Sequence, residues 1–307
     1  CETAKMMKWM DPSIELVACG SSYRAMPTFG SWERTVLSHC WEYVDYLSLH
    51  QYYENKSGDI PTFLARNNEM DAFIKEVAAI CADEKTRHRS DHDVKLSFDE
   101  WNVWYHFMKA NVYPEKWIIA RPIEEETYNF ADALLVGCML TTLINNADTV
   151  KIACLAQLVN VIAPIMTRPG GECWLQTTYY PFLYTSLHGR GTALRTEVEC
   201  PTYACTISDH IPIVDCAAVL SHDENELNLF LINKDLENAI DCRVILMGCQ
   251  TSSAGEHVVL AAPLDSVNIA ESSPVLPQSV SDITVHNDGV TFRLEAASWN
   301  LIRIPLI

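Results

Sequence analysis

The hydrophobic pattern of this 307-residue chain changes its period near residue 190. Before that point, short apolar runs alternate with longer helical segments; after it, short β-rich runs follow one another, separated by turns such as Asn287-Asp288-Gly289. The candidate strands of the first part are 14–20, 44–50, 94–100 and 150–155, and its helical segments are 32–43, the stretch from 71, 129–146 and 174–187. The strand runs of the second part are 217–220, 227–232, 242–246, 257–260, 291–294 and 299–305. Strands that alternate with helices favour parallel βα units, whereas closely spaced short strands favour a sandwich. The sequence therefore predicts an α/β domain over residues 1–190 and an all-β sandwich over residues 191–307.

The α/β part supplies only four βα units, whereas a closed (β/α)8 barrel needs eight, over about 250 residues. Four parallel strands alone leave open sheet edges, which proteins usually cover. Two architectures remain, an open doubly wound sheet and the C-terminal half of a barrel. Residues 1–10 are helical in composition but have no N-cap before them, which favours the second. We therefore expect the last four βα units of a TIM (β/α)8 barrel, followed by a jelly-roll-like β-sandwich.

The charge of the chain narrows the class of partner. The formal net charge is -18, which argues against nucleic acid or an anionic membrane as a partner. The sequence also lacks the run of about 18 apolar residues that a membrane-spanning helix needs. A neutral substrate such as a carbohydrate is compatible with this composition.

The twelve cysteines do not form a disulfide pattern, because no Cys-x-x-Cys spacing occurs. Cys19, Cys138 and Cys154 lie in apolar segments, where a free cysteine behaves as a small buried hydrophobic residue. We expect reduced thiols and a cytoplasmic protein, with secretion left open because the true N-terminus is not visible. There is no Asp-rich calcium loop and no Gly-rich phosphate loop, so we expect neither a metal nor a cofactor.

The segment Asp99-Glu100-Trp101-Asn102 carries the clearest chemical signal. It ends the apolar run 94–98, and an unpaired carboxylate at such a place is costly to bury. In barrel enzymes, catalytic groups sit at the C-terminal ends of strands, so Glu100 fits a sugar-cleaving nucleophile beside an aromatic sugar platform, Trp101. Alternatively, the carboxylate caps the next helix and Trp101 is ordinary core. The local sequence fits both interpretations.

Four motifs in the same order resemble α-L-arabinofuranosidases of glycoside hydrolase family 51. They are Met-Met-Lys-Trp-Met-Asp-Pro-Ser-Ile-Glu-Leu-Val-Ala-Cys-Gly-Ser-Ser (6–22), Asp-Tyr-Leu-Ser-Leu-His-Gln-Tyr-Tyr (45–53), Phe-Asp-Glu-Trp-Asn-Val-Trp-Tyr-His (98–106) and Ala-Gln-Leu-Val-Asn-Val-Ile-Ala-Pro-Ile-Met (156–166). The closing Ser298-Trp299-Asn300 fits the C-terminal sandwich of that family. The resemblance covers essentially the whole chain and implies a (β/α)8 barrel with a β-sandwich.

The resemblance also implies an activity, the retaining hydrolysis of terminal arabinofuranosyl groups from arabinan- or arabinoxylan-type oligosaccharides and polysaccharides. In such a mechanism Glu100 matches the nucleophile, and Tyr52 is expected to hydrogen-bond to it. His50 is expected to polarise the acid/base. Trp104 matches a wall of the sugar pocket, and Gln157 matches a hydrogen-bonding position on the arabinose.

The family acid/base belongs to a Gly-Asn-Glu motif that this sequence lacks. Asn68-Glu69 mimics it in letters, but Glu69 is expected to be a helix-start carboxylate favoured by the helix dipole. We therefore expect a fragment that is inactive alone and that works with an N-terminal half of the same enzyme. Because enzymes of this family assemble as homo-oligomers, the resemblance also implies a homo-oligomer. The alternative is a non-catalytic carbohydrate-binding or assembly module, for which Tyr203, Phe230, Phe292 and Trp299 are the aromatic candidates in the sandwich, although their strand spacing favours core positions.

Overall fold

The computed structural model describes residues 1–105, 119, 122–251 and 253–307, so His106, the last residue of the third motif, lies outside the described residues. The helices are α1 (Glu2–Met10), α2 (Ser31–Cys40), α3 (Ile60–Leu64), α4 (Asn67–His88), α5 (Phe130–Asn145) and α6 (Tyr179–His188). The strands are β1 (Val17–Ala18), β2 (Tyr46–Tyr53), β3 (Lys95–Val103), β4 (Val150–Leu155), β5 (Ile165–Thr167), β6 (Cys173–Leu175), β7 (Gly191–Leu194), β8 (Thr202–Tyr203), β9 (Ile211–Pro212), β10 (Val214–Ser221), β11 (Glu226–Asn233), β12 (Ile240–Ile245), β13 (Glu256–Ala261), β14 (Gln278–Val280), β15 (Thr284–His286), β16 (Gly289–Leu294) and β17 (Ser298–Pro305). None of these helices combines the length and the apolar character that crossing a bilayer requires.

The chain divides into two compact units that alternate along the sequence. The first unit comprises Cys1–Tyr53, Asn68–Asn102 and Asn146–Ala156, and the second comprises Glu54–Asn67, Val103–Asn145 and Gln157–Ile307. The domain boundary expected between residues 190 and 191 remains a prediction.

The first unit is built around a four-stranded sheet in the order β1-β2-β3-β4. β1 pairs with β2 and β3 pairs with β4 in parallel, as βα units require. β4 has the predicted bounds, whereas β1 is much shorter than the predicted run 14–20. The backbone after β1 passes so close to β2 that a Cβ on Gly20 would lie 2.1 Å from the Ser48 carbonyl oxygen. This close approach explains why glycine occupies position 20.

The helix predicted from residue 71 buries the expected face. Phe73, Ile74 and Val77 of α4 are fully buried, and Ile80 is nearly so. The Phe73 ring lies edge-on to Phe98 of β3, with 6.2 Å between the ring centroids. The apolar period of the sequence thus fixes which side of α4 covers the sheet.

The second unit contains a six-stranded antiparallel sheet in the order β14-β13-β17-β11-β10-β7 and a three-stranded sheet in the order β12-β16-β15. Side chains from both sheets form one apolar core, which includes Leu229, Leu231 and Ile302 from the larger sheet and Val290 and Phe292 from the smaller one. This is the sandwich that the closely spaced strands predict.

Helix α5 packs in the same unit and is buried along almost its whole length. Gly137 of this helix faces β17, because a Cβ at this position would lie 2.6 Å from the Trp299 ring. A larger side chain at position 137 would therefore push the helix away from the sheet.

The predicted helix 174–187 is wrong at its beginning. Residues Cys173–Leu175 form β6, which pairs antiparallel with β5, and α6 starts only at Tyr179. The turn between the two strands contains Gly170, whose φ of 65° is in the left-handed region that glycine tolerates. The hairpin forms instead of a helix because the segment between its strands contains turn residues. A prediction from helical composition alone does not take these turn residues into account.

All twelve cysteines are unpaired in the structure, as expected. Cys138 is buried in α5, but Cys19 and Cys154 are exposed, contrary to the prediction of buried thiols. Cys19 follows the short outer strand β1 and Cys154 lies on the outer strand β4, whose burial alternates along its length. An apolar neighbourhood in sequence therefore does not bury a residue at the edge of a sheet.

Candidate functional site

Strand β2 presents a row of polar side chains. Its residues alternate between two faces, so Leu47 and Leu49 are fully buried while Ser48, His50 and Tyr52 lie on the opposite face. The backbone N–H of His50 donates to the Ser21 carbonyl in the loop after β1. The period of two along the sequence thus places three potential hydrogen-bonding groups side by side.

The neighbouring strand β3 has an irregular register at the predicted catalytic segment. Phe98 pairs with Ala153 and Trp101 pairs with Leu155, so three steps on β3 correspond to two on β4. Asp99 and Glu100 lie between these pairs. A register shift of this kind bends a strand and redirects its side chains. It explains how two consecutive carboxylates both reach the polar row of β2, although a regular strand would send them to opposite faces.

Glu100 is half exposed, with 48% of its side chain accessible. The Tyr52 hydroxyl donates a hydrogen bond of 3.0 Å to its Oε2, and His50 Nδ1 lies 3.5 Å from the same oxygen. Burial and the hydrogen bond with Glu100 both raise the pKa of Tyr52, so this hydroxyl keeps its proton and acts as the donor. The site therefore holds one solvent-accessible carboxylate aimed by a neutral donor and faced by an imidazole.

Asp99, which belongs to the predicted catalytic segment but was given no role of its own, is also a member of the site. Ser48 Oγ donates to its Oδ1 at 2.6 Å, and Ser97 Oγ donates to its Oδ2 at 3.0 Å. His50 Nε2 lies 2.9 Å from Oδ1 of Asp99 and 3.2 Å from Ser48 Oγ. The spacing of two between Ser48 and His50, and again between Ser97 and Asp99, is the sequence signal that would have found this group.

The aromatic residues near Glu100 in sequence have different surroundings. Trp101 is completely buried, so the interpretation of Trp101 as a sugar platform is wrong and it is a core residue. Trp104 belongs to the second unit and is partly exposed; its indole N–H donates to Glu124 Oε2 at 3.1 Å.

Gln157 also belongs to the second unit, and it is exposed. Its backbone N–H donates to the Ile162 carbonyl at 3.2 Å, which fixes the start of the loop after β4. The structure thus brings Glu100, Tyr52 and His50 together within the first unit, and it places Trp104 and Gln157 in the second.

Glu69 lies in the first turn of α4, the position expected for a helix-start carboxylate. The family acid/base motif stands at the end of a strand, and Glu69 does not follow a strand.

The expectation of no metal overlooks one His-x-x-x-His spacing, His88 and His92. α4 ends at His88, so the two residues do not share a helix face. Both rings pack against Trp41, and a ring nitrogen of His92 is 2.8 Å from the Val44 carbonyl oxygen. Within residues 1–105, 119, 122–251 and 253–307, no group of three or more His, Cys, Asp or Glu side chains is placed to hold a metal ion.

Comparison with known proteins shows to which family the chain belongs. The model of the α-L-arabinofuranosidase C-terminal domain matches residues 99–298, well over half of the chain. The chain is 49% identical over 304 residues to an intracellular exo-α-(1->5)-L-arabinofuranosidase from Bacillus subtilis, covering 99% of this chain and 61% of that protein. It is 46% identical over 309 residues to an intracellular exo-α-(1->5)-L-arabinofuranosidase from Acetivibrio thermocellus, with the same coverage of 99% and 61%. The chain thus spans about three fifths of the length of these curated relatives.

Solved structures agree. The structure of a family 51 α-L-arabinofuranosidase from Bifidobacterium longum superposes with a TM-score of 0.91 at 33% identity, covering 99% of this chain and 62% of that one. The arabinose complex of an α-L-arabinofuranosidase from Thermotoga maritima has the same fold, with a TM-score of 0.78 at 22% identity and coverage of 99% and 60%. These matches confirm the predicted fold class, the last part of a (β/α)8 barrel followed by a β-sandwich. The chain belongs to the α-L-arabinofuranosidase C-terminal domain family and corresponds to the C-terminal portion of glycoside hydrolase family 51 enzymes.

Proposed function

We propose that this chain is part of a retaining, exo-acting α-L-arabinofuranosidase in which Glu100 is the nucleophile. The observation that carries the proposal is the half-exposed Glu100 carboxylate, held by the Tyr52 hydroxyl at 3.0 Å beside His50. The names of the curated relatives, exo-α-(1->5)-L-arabinofuranosidases, support terminal arabinofuranosyl groups as the substrate class. We propose that arabinan- or arabinoxylan-type chains carry these groups.

The proposed reaction has two steps. In the first, a carboxylate oxygen of Glu100 bonds to the anomeric carbon of the arabinofuranosyl group. The bond from that carbon to the leaving oxygen breaks with its electron pair, and a second carboxyl group protonates this oxygen. In the second step, water attacks the anomeric carbon and the bond from that carbon to Glu100 breaks. A proton of the attacking water passes to the second carboxyl group. The two carboxyl groups of retaining enzymes lie about 5–5.5 Å apart.

Four other residues support this chemistry. Tyr52 orients the nucleophile through the hydrogen bond to Oε2. His50 presents an imidazole next to the nucleophile, and we propose that it also polarises the acid/base. Trp104, whose indole N–H is tied to Glu124, would wall the sugar pocket, and the exposed Gln157 would hydrogen-bond to the arabinose. No metal or cofactor has a role in this proposal.

We propose that the acid/base comes from residues outside these 307. The chain spans 61% of its curated relatives, and Glu69, whose letters mimic the acid/base motif, lies in a helix turn rather than at the end of a strand. The acid/base would belong either to a longer form of this protein or to a separate N-terminal half. The working form would be a homo-oligomer or the two halves together. The relatives named intracellular support a cytoplasmic location.

A mechanism-based fluoro-sugar tests the nucleophile. The 307-residue chain, combined with the family N-terminal half that supplies the acid/base, is treated with a fluorinated arabinofuranoside, and the labelled peptide is identified by mass spectrometry. Glu100 should carry the label, Glu100→Gln should abolish it, and the control Glu69→Gln should leave it unchanged. Labelling of a different residue would refute the assignment.

The chain alone provides a second test. Since general acid/base catalysis contributes about 10²–10⁴-fold, we expect the isolated chain to show no normal turnover of an aryl arabinofuranoside. Robust hydrolysis by the isolated chain would contradict the proposal that the acid/base lies elsewhere.

The described aromatic residues of the sandwich do not support the alternative of a non-catalytic binding module. A polysaccharide platform needs exposed aromatic rings, but Phe230, Phe292 and Trp299 of the sandwich are buried and Tyr203 is partly buried. The Tyr203 hydroxyl donates to the Pro61 carbonyl, which gives it a structural partner.

A further inference from the structure

Asp99 has an arrangement of partners that the proposed mechanism leaves unexplained. Its two carboxylate oxygens accept from two different hydroxyls, Ser48 Oγ at 2.6 Å on Oδ1 and Ser97 Oγ at 3.0 Å on Oδ2. Both oxygens of this carboxyl group therefore act as hydrogen-bond acceptors, one for a hydroxyl of β2 and one for a hydroxyl of β3. The cluster holds Asp99 in place one residue before the proposed nucleophile.

The hydrogen-bond directions at Ser48 indicate which nitrogen of His50 carries its proton. Ser48 has one hydroxyl hydrogen, and its short bond to Asp99 uses it. The 3.2 Å contact between Ser48 Oγ and His50 Nε2 can then form only if Nε2 carries a hydrogen and donates it. Asp99 Oδ1 lies 2.9 Å from the same nitrogen, closer than the 3.5 Å between Nδ1 and Glu100 Oε2, and is a second acceptor for a hydrogen on Nε2.

The opposite edge of the ring faces the proposed nucleophile. His50 Nδ1 is 3.5 Å from Glu100 Oε2, the oxygen to which Tyr52 also donates. A histidine bound at one nitrogen has both its tautomer and its ring orientation set by that bond. The groups that bind Nε2 therefore set the orientation of the Nδ1 edge towards Glu100.

We infer that Asp99 is a positioning residue: directly and through Ser48, it keeps the imidazole proton of His50 on Nε2 and so keeps the Nδ1 edge of the ring facing Glu100. Asp99 itself touches no reacting atom in this arrangement. Its importance for catalysis rests on the proposed function of Glu100, but the tautomer of His50 does not, because it is a property of the chain without substrate.

Nitrogen NMR of the 307-residue chain, labelled with ¹⁵N only in histidine, tests this inference. The ring signals of His50 are assigned by their disappearance in His50→Gln, and spectra are recorded above neutral pH, where the two neutral tautomers give different nitrogen shifts. The wild-type chain should show His50 protonated at Nε2. In Asp99→Ala the Nε2-protonated pattern should be lost or mixed with the Nδ1-protonated one.

The matched control is Ser97→Ala, which removes a hydrogen bond from the far oxygen of Asp99 and leaves the His50 contacts intact. It should keep the wild-type tautomer. An Nδ1-protonated His50 in the wild-type chain, or an unchanged Nε2-protonated pattern in a folded Asp99→Ala, would overturn the inference. The wild-type spectrum is decisive even if Asp99→Ala does not fold. If the fluoro-sugar did not label Glu100, the proposed function would be refuted. The inference about the His50 tautomer would not be affected.

Discussion

Replacing Lys234 with methionine should destabilise the second unit by about 3–5 kcal/mol, because it leaves a buried carboxylate without its cation. The Lys234 side chain is 0% exposed and that of Asp215 is 15% exposed, and their charged atoms are 2.9 Å apart. Asn67 donates to the other oxygen of Asp215 at 3.1 Å. After the substitution, the Asp215 carboxylate would still have the amide of Asn67, but that neutral group does not balance its charge.

A substitution of Asp215 separates the energy of the ion pair from the energy of the contacts around it. Asp215→Leu alone leaves the Lys234 ammonium buried and unpaired, so it should cost a similar amount. In the double variant no charge remains, and buried ion pairs replaced by apolar groups often lose little stability or gain some. We therefore expect Lys234→Met with Asp215→Leu to be more stable than either single variant, a non-additivity that a double-mutant cycle measures directly.

Urea unfolding, followed by tryptophan fluorescence and far-UV circular dichroism, gives the free energies of unfolding for the cycle. Arg195→Met is the matched control, since Arg195 is 86% exposed and its ion pair with Glu197 lies at the surface. It should leave the unfolding midpoint unchanged. A wild-type midpoint for Lys234→Met, or strictly additive losses in the double variant, would show that the pair is solvated and that the reasoning is wrong.

Three further predictions concern the buried acid, the sandwich turn and the site. Burial raises the pKa of Asp132 from 3.8 to about 7, so the folded protein holds a proton that the unfolded chain releases. Its stabilising contribution is full below pH 3.8 and is lost as the pH rises to about 7, by up to about 1.4 kcal/mol per pH unit. Relative to Asp132→Asn, the wild type should lose stability over this window in urea unfolding, and parallel curves would contradict the assignment. Gly289 has a φ of 155°, and a Cβ on it would lie 1.9 Å from a backbone oxygen of the paired strand. Gly289→Ala should therefore lower the melting temperature more than Gly248→Ala, which has a positive φ but open space around it. Tyr52→Phe removes the donor to Glu100 and should lower kcat/KM on an aryl arabinofuranoside about tenfold in the completed enzyme; an unchanged value would exclude this hydrogen bond from the mechanism.

Much of the secondary structure follows from the sequence alone. Strand β4 and helices α2 and α5 lie within a few residues of the predicted bounds, because their apolar period is set locally and their neighbours reinforce it. In the sandwich, β10, β11, β12, β13, β16 and β17 each overlap a predicted run, whereas the short strands β7, β14 and β15 were not predicted. The hairpin β5–β6 escaped prediction because short strands depend on the pairing partner more than on their own composition.

The order of the amino acids is also enough to reveal the family resemblance and the candidate carboxylate Glu100, because motifs and strand ends are local patterns. Which side chains meet that carboxylate depends on the fold. Ser48 and Asp99 are 51 residues apart, and a register shift in β3, invisible in the alternation of residue types, brings Asp99 and Glu100 to one row. The same holds for Trp101, whose burial depends on what covers the strand rather than on its own type. Local periodicity specifies each element, but contacts between distant strands specify the chemistry, because hydrogen bonds and burial are set by distances in space.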